Sequence, residues 1–277
     1  MTSVLGQREL RDLPELPEDE EARALAHRER LLPYVAPHLA RRKAGIKHPV
    51  HDFLFTYYAF RPAQLLRWTP GTTSLPEDKR MLVSTLRRLL RATASRPASF
   101  GCFGLHEWAM VYRADETRHP QPLRLGASAT DAVVDTHRIQ CSHFDAYRFF
   151  TPEAVGLNAL RPGRDDRADF EQPGCLHGTM DLYKHAFRLF PLIASDLIAD
   201  CFELAWDVRI MDMRAAPYDM SGVILDPTGE AWTPVRIETA EGKQEYVAAQ
   251  RGFAERAAPL RQRLIEDCER LLGASAP

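Results

Sequence analysis

Histidine and carboxylate recur at helical spacing in two neighbouring stretches, Cys175-Leu-His-Gly-Thr-Met-Asp-Leu-Tyr-Lys-His185 and Asp196-Leu-Ile-Ala-Asp-Cys-Phe-Glu-Leu-Ala-Trp-Asp207. At about 100° per residue, Asp196, Asp200, Glu203 and Asp207 fall within about 40° of one another, and Arg214 returns to the same line. On the preceding segment His177, Asp181, Lys184 and Arg188 share a face, with His185 at its edge. Residues four apart on a helix are neighbours, so His177 with Asp181, and Asp181 with His185, could each hold one ion. Adding Glu203 and Asp207 gives a mixed nitrogen and oxygen set that suits iron, with manganese or zinc as alternatives. The same stripes also read as solvated faces, or as salt bridges from Lys184 and Arg188 to Asp200 and Glu203. Arg209 and Asp212 lie on the opposite side of the second helix and read as a separate ion pair.

Other reactive side chains sit among aromatic rings. Phe103-Gly-Leu-His-Glu-Trp108 supplies His106 and Glu107, and Asp135-Thr-His-Arg-Ile-Gln-Cys-Ser-His-Phe-Asp-Ala-Tyr-Arg-Phe-Phe150 supplies His143, Tyr147 and Arg148. Aromatic walls with a few convergent polar groups make a ligand pocket, and also an ordinary core. In the pocket reading His106, Glu107 and His143 do chemistry, while Tyr147, Arg148, Lys184 and Arg214 hold a small polar or anionic substrate. Three cysteine–histidine couples, Cys102 with His106, Cys141 with His143 and Cys175 with His177, lack the Cys-Cys spacing of structural zinc sites. Arg80, Arg87 and Arg91 line one side of a basic helix that could track phosphates.

These groups need scaffolding, and the 3.6-residue period that dominates the chain supplies it. The chain has 277 residues, 45% of them apolar and 27% charged, enough for a substantial core. The fold is expected to be mainly α, a helical bundle with a long irregular middle segment and at most a minor β element. Residues 1–17 read as a flexible arm and 18–277 as one domain. Helices are expected at 18–45, broken near Pro33 and Pro37, and at 77–94, 105–113, 176–190, 192–214 and 243–272, the last kinked at Pro259. Pro191 should fold one striped helix back on the other, adjacent and antiparallel. Residues 114–175 read as irregular with one or two short helices, and Val235–Glu238 as a strand. The net charge of -2 gives no global attraction to nucleic acid or anionic membrane. No apolar run spans a bilayer, and the N-terminus has no signal-peptide core. Five cysteines without a Cys-x-x-Cys pair point to reduced thiols in a cytoplasm.

His48-Pro-Val-His-Asp-Phe, Arg61-Pro-Ala-Gln-Leu-Leu-Arg-Trp68, Phe103-Gly-Leu-His-Glu-Trp-Ala-Met-Val-Tyr112 and Asp212-Met-Arg-Ala-Ala-Pro-Tyr-Asp219 together resemble a bacterial family that carries the name "3-methyladenine DNA glycosylase". The likeness covers about residues 45–265. It implies a DNA repair activity, excision of an alkylated purine, and assigns no catalytic residue. Asp181-x-x-x-His185 resembles one element of the heme-oxygenase-like diiron oxidases, and His51-Asp52 the adjacent pair of HD-type metal enzymes. Two functions are therefore expected: an iron-dependent oxygenase or oxidase acting on a small molecule, and, as the alternative, a DNA glycosylase.

Overall fold

The structure, a computed structural model, describes residues 18–117 and 119–273. Among them it holds twelve helices: α1 (Glu18–Ala44), α2 (Phe53–Thr56), α3 (Pro62–Leu65), α4 (Glu77–Ala94), α5 (Leu105–Ala109), α6 (Gly126–Thr136), α7 (Phe144–Tyr147), α8 (Pro152–Val155), α9 (Arg167–Phe170), α10 (Leu176–Arg188), α11 (Ser195–Ala215) and α12 (Ala240–Gly273). The fold is mainly α. Its only β pairings among the described residues are isolated bridges, such as Leu123 with Tyr218. No described helix is long and apolar enough to cross a membrane. The expected arm at 1–17 lies outside the described residues.

α11 is the hub because its surface is apolar nearly all round. Leu197, Ile198, Phe202, Leu204, Trp206 and Val208 are all buried, and α1, α10 and α12 pack against it. Each such side chain adds roughly 1.5–3 kcal/mol when fully buried. α10 and α11 form an antiparallel pair joined at Leu189–Ala194. Tyr183 meets Phe202 near the turn, ring centroids 5.1 Å apart, while His177 meets Asp212 at the open end. α4 shows the expected amphipathic face, with Val83, Leu86, Leu89 and Leu90 buried, and Glu77 and Asp78 at the positive end of its dipole.

Proline does not break α1 as expected: the helix runs through Pro33 and Pro37, and α12 includes Pro259 within its span. Each proline frees one carbonyl four residues back. Those carbonyls belong to Glu29, Pro33 and Glu255, all exposed, so water can satisfy them and each helix continues.

The middle segment is more helical than its sequence suggests. It contains α6 and three single turns, α7 to α9. A single turn has no periodicity to read; α8 forms because Thr151 caps it, its Oγ1 accepting the Ala154 N–H at 3.3 Å, with Pro152 at the first helical position. Val235–Glu238 is not a strand. Val235 and Ile237 alternate into the core, both fully buried, but the Val235 N–H donates to the Arg214 carbonyl at the end of α11 instead of to a neighbouring strand.

Candidate metal centre

α5 carries the first two groups. Gly104 precedes it with φ 72°, a left-handed turn that costs a side-chain-bearing residue about 1–2 kcal/mol. A Cβ there would also sit 3.2 Å from Ala215 Cβ and 3.3 Å from the Tyr246 ring. This close approach, and the hydrogen bond from Trp108 Nε1 to the Ala215 carbonyl at 2.9 Å, pin α5 to the end of α11. His106 and Glu107 are thereby brought to Asp212 of α11 and His177 of α10. One donor atom from each of the four lies within 4.8 Å of all the others.

The charges inside this cluster are partnered. His106 Nε2 lies 2.9 Å from Asp212 Oδ1, and Arg209 Nη1 donates to Asp212 Oδ2 at 3.0 Å. Arg209 also stacks 4.1 Å over Phe53 and donates to the Val50 carbonyl. Burial alone would lower the His106 pKa, but the Asp212 carboxylate overrides it and holds the imidazolium well above its usual range. Asp212 is pulled down in turn, its burial outweighed by His106 and Arg209. His177 is the opposite case. Burial, then the adjacent His106 charge, push it down to about 3, so it is a neutral imidazole at pH 7. Its ring lies 4.5 Å from His106 and 5.4 Å from His143.

His143 begins a second charged layer. Its Nε2 lies 3.3 Å from Asp181 Oδ2 and 3.6 Å from Glu171 Oε1. Asp181 also accepts from Tyr58 Oη at 2.9 Å, Arg167 at 2.9 Å and Lys184 at 3.0 Å. Desolvation opposes ionisation of Asp181, yet Lys184 and the histidines hold its pKa well below the carboxylate range. Arg167 bridges Asp181 to Glu171.

Of the expected metal ligands, His177 falls in the cluster and Asp181 in this adjoining layer. His185 is not among the clustered donors; it is buried one turn beyond Asp181 on α10, its Nδ1 without a hydrogen-bond partner among the described residues. Glu203 and Asp207 are nowhere near. Glu203 lies nine residues before Asp212, half a turn round the helix. Arg30 of α1 binds Asp200 and Glu203, Arg263 of α12 binds Asp200, and Arg256 binds Asp207. Asp200, Glu203 and Asp207 form a row of surface ion pairs whose arginines come from α1 and α12, Asp196 faces Trp68 Nε1, and Lys184 turns to Asp145 and Asp181. Of the expected substrate groups, Arg214 is bound to the Thr233 carbonyl and Glu245. Tyr147 meets Arg161, and Arg148 meets Asp145 and Tyr57. None of these three faces the cluster.

The residue the sequence reading placed elsewhere is Asp212. Its Arg209 pair is present, but the same carboxylate also anchors His106. The available signal was its position on the apolar side of a buried helix, where a lone charge is too costly to stand unpartnered. The three cysteine–histidine couples also converge. Cys102, Cys141 and Cys175 line a cavity of about 10 Å³ beside His106, His177 and Tyr246, room for about one water molecule. Burial pushes the Cys141 and Cys175 thiols well up, so both are protonated at pH 7.

His48, His51 and Asp226 form a second group of donors. Its imidazole lone pairs are already used, and Asp226 Oδ2 accepts from Arg41. His48 Nδ1 accepts the N–H groups of Val50 and His51 at 3.2 Å, and its Nε2 donates to the Ile224 carbonyl. His51 Nε2 accepts the Asp226 N–H at 3.0 Å, and its ring stacks on Trp206. Asp52 turns away to His38 and Arg41. The His51-Asp52 pair is a structural joint and does not converge on one ion.

No protein-family profile, curated protein or solved structure matches this chain.

Proposed function

We propose that the protein is an iron-dependent enzyme, oxygenase- or oxidase-like, acting on a small polar or anionic molecule. The observation that carries the reading is the convergence of His106, Glu107, His177 and Asp212. Two ligand atoms each about 2.1 Å from one ion and at right angles are about 3 Å apart, and His106 Nε2 and Asp212 Oδ1 are 2.9 Å apart. Two imidazoles with carboxylates form the donor set of non-heme iron sites. The buried thiols nearby are protonated, which leaves the nitrogen and oxygen donors as the ready ligands.

Bound iron would supply one-electron and dioxygen chemistry. The chain's own residues prepare the place. Arg209 orients Asp212, as outer partners of metal ligands commonly do. His177 is held neutral with a lone pair to give. His143, between His177 and the Asp181/Glu171 pair, is placed to hold or pass a proton at Nε2. All five cysteines are free, which fits the reducing, cytoplasmic compartment expected for such an enzyme. The glycosylase alternative draws less support, because Arg80 and Arg91 of its phosphate track are paired with Glu77 and Glu269. Loading the purified protein with iron(II) under anaerobic conditions, then following dioxygen uptake with candidate substrates, tests the reading. Uptake should need iron and be lost in His177→Ala; iron that binds yet never supports uptake with any substrate would count against the oxidase assignment.

A further inference from the structure

A cleft of about 610 Å³ opens on the other side of the Asp181 layer, between α4, α7, α9 and the end of α10. Its walls carry five arginines, Arg88, Arg148, Arg164, Arg167 and Arg188, against two carboxylates, Asp145 and Asp165. The arginines are not equivalent. Arg167 and Arg148 are engaged with neighbouring carboxylates. Asp145 is itself bound by Lys184 at 2.8 Å. Arg88, Arg164 and Arg188 make no hydrogen bond or ion pair among the described residues, and all three are exposed. Three guanidinium groups without a hydrogen-bonded partner, from α4, the loop before α9 and α10, thus line one concavity. His185, buried and with an unpartnered Nδ1, lies in its wall beside the apolar Phe144 and Leu89.

We propose that this cleft binds a phosphorylated small molecule, one carrying a diphosphate or two nearby phosphate groups. Guanidinium groups present paired N–H donors that match phosphate oxygens, and five arginines against two carboxylates leave an excess of positive charge that favours a multiply charged anion. The volume lies within the range of small-molecule sites. A bounded cleft on a chain of net charge -2 is not the continuous basic track that a nucleic-acid backbone needs. The site stands apart from the metal cluster and does not rest on the metal reading. Arg167 reaches from the cleft to Asp181 and Glu171 of the adjoining charged layer.

Isothermal titration of the full chain with inorganic pyrophosphate tests the proposal, at fixed ionic strength and with and without iron(II). The expected result is saturable one-to-one binding with Kd at or below ~1 mM. The Arg88→Gln/Arg188→Gln double variant should weaken it at least ~10-fold. These two exposed side chains have no folded-state partners to lose, and Arg256→Gln, outside the cleft lining, is the control and should change nothing. Citrate should bind at least ~10-fold more weakly than pyrophosphate. No saturation by ~10 mM, equal binding by the double variant, or citrate binding as tightly would overturn the proposal. So would a single-stranded oligonucleotide that needs the same arginines while pyrophosphate does not bind. Iron binding is read separately, so either claim can fail without the other.

Discussion

Two carboxylates on one helix make the residue-scale case. Asp212 is fully buried between His106 and Arg209, while Glu203 is a surface partner of Arg30. Asp212→Asn should abolish metal binding and destabilise by about 3–5 kcal/mol, because it leaves Arg209 buried without its carboxylate partner. Glu203→Ala should cost at most about 1 kcal/mol and leave metal content unchanged. His177→Ala should keep the fold and lose the metal. Thermal melting beside metal analysis of the three variants checks this; equal metal content in all three would place the ion elsewhere. Protons give a second check. His51, His177 and His185 are each held near 3 by burial, against about 6.5 when unfolded. The unfolded chain therefore binds more protons between these values, and metal-free stability should fall as pH drops below ~6.5, by up to about 1.4 kcal/mol per group per pH unit. His106 has the opposite sign. Its raised pKa contributes stability that is complete below ~6.5 and lost as pH rises through the folded value. Urea melts of the metal-free protein at pH 7.5, 6 and 5 read the sum, and a flat profile would contradict the buried neutral histidines. Because iron must displace the His106 proton, its affinity should also rise with pH.

At the scale of elements, the α10–α11 hairpin was legible because both helices are long, strongly patterned and separated by Pro191. The partners of their polar faces were not legible. Arg30 and Glu203 are 173 residues apart, and nothing local tells a stripe which distant helix will cover it. His106 and Glu107 stood out by type and by their aromatic surroundings, yet their link to Asp212 depends on how α5, only five residues long, abuts the end of α11. That abutment rests on Gly104. Gly104→Ala should combine a left-handed strain of about 1–2 kcal/mol with a push against Ala215 and Tyr246. The expected outcome is a lower melting temperature and weaker iron binding than in wild type, measured by calorimetry and by titration. Unchanged affinity would show that the position of α5 does not set the site.

For the whole molecule, the helical period and the apolar content were enough to indicate a mainly α fold around a buried central helix. One connected core runs from Leu31 in α1 to Leu271 in α12. Three of the four clustered donors were singled out from sequence by residue type; the fourth was assigned to a different partner, since a buried carboxylate can serve two cations at once and sequence spacing shows only the nearer one. Closing the cluster around an ion ties α5, α10 and α11 together, so metal should stabilise the fold as a unit. At a hundredfold excess over Kd the gain is about 2.7 kcal/mol, or a rise in Tm of roughly 5–10 °C.

Quantifying iron in protein purified without a histidine tag, loaded anaerobically with iron(II) and then desalted, tests the central claim most directly. About one equivalent should remain in the wild type and less than ~0.2 in His177→Ala, with the variant still folded. Less than ~0.2 equivalents of any transition metal in the wild type, and no rise in Tm on loading, would contradict a metal centre at His106, Glu107, His177 and Asp212.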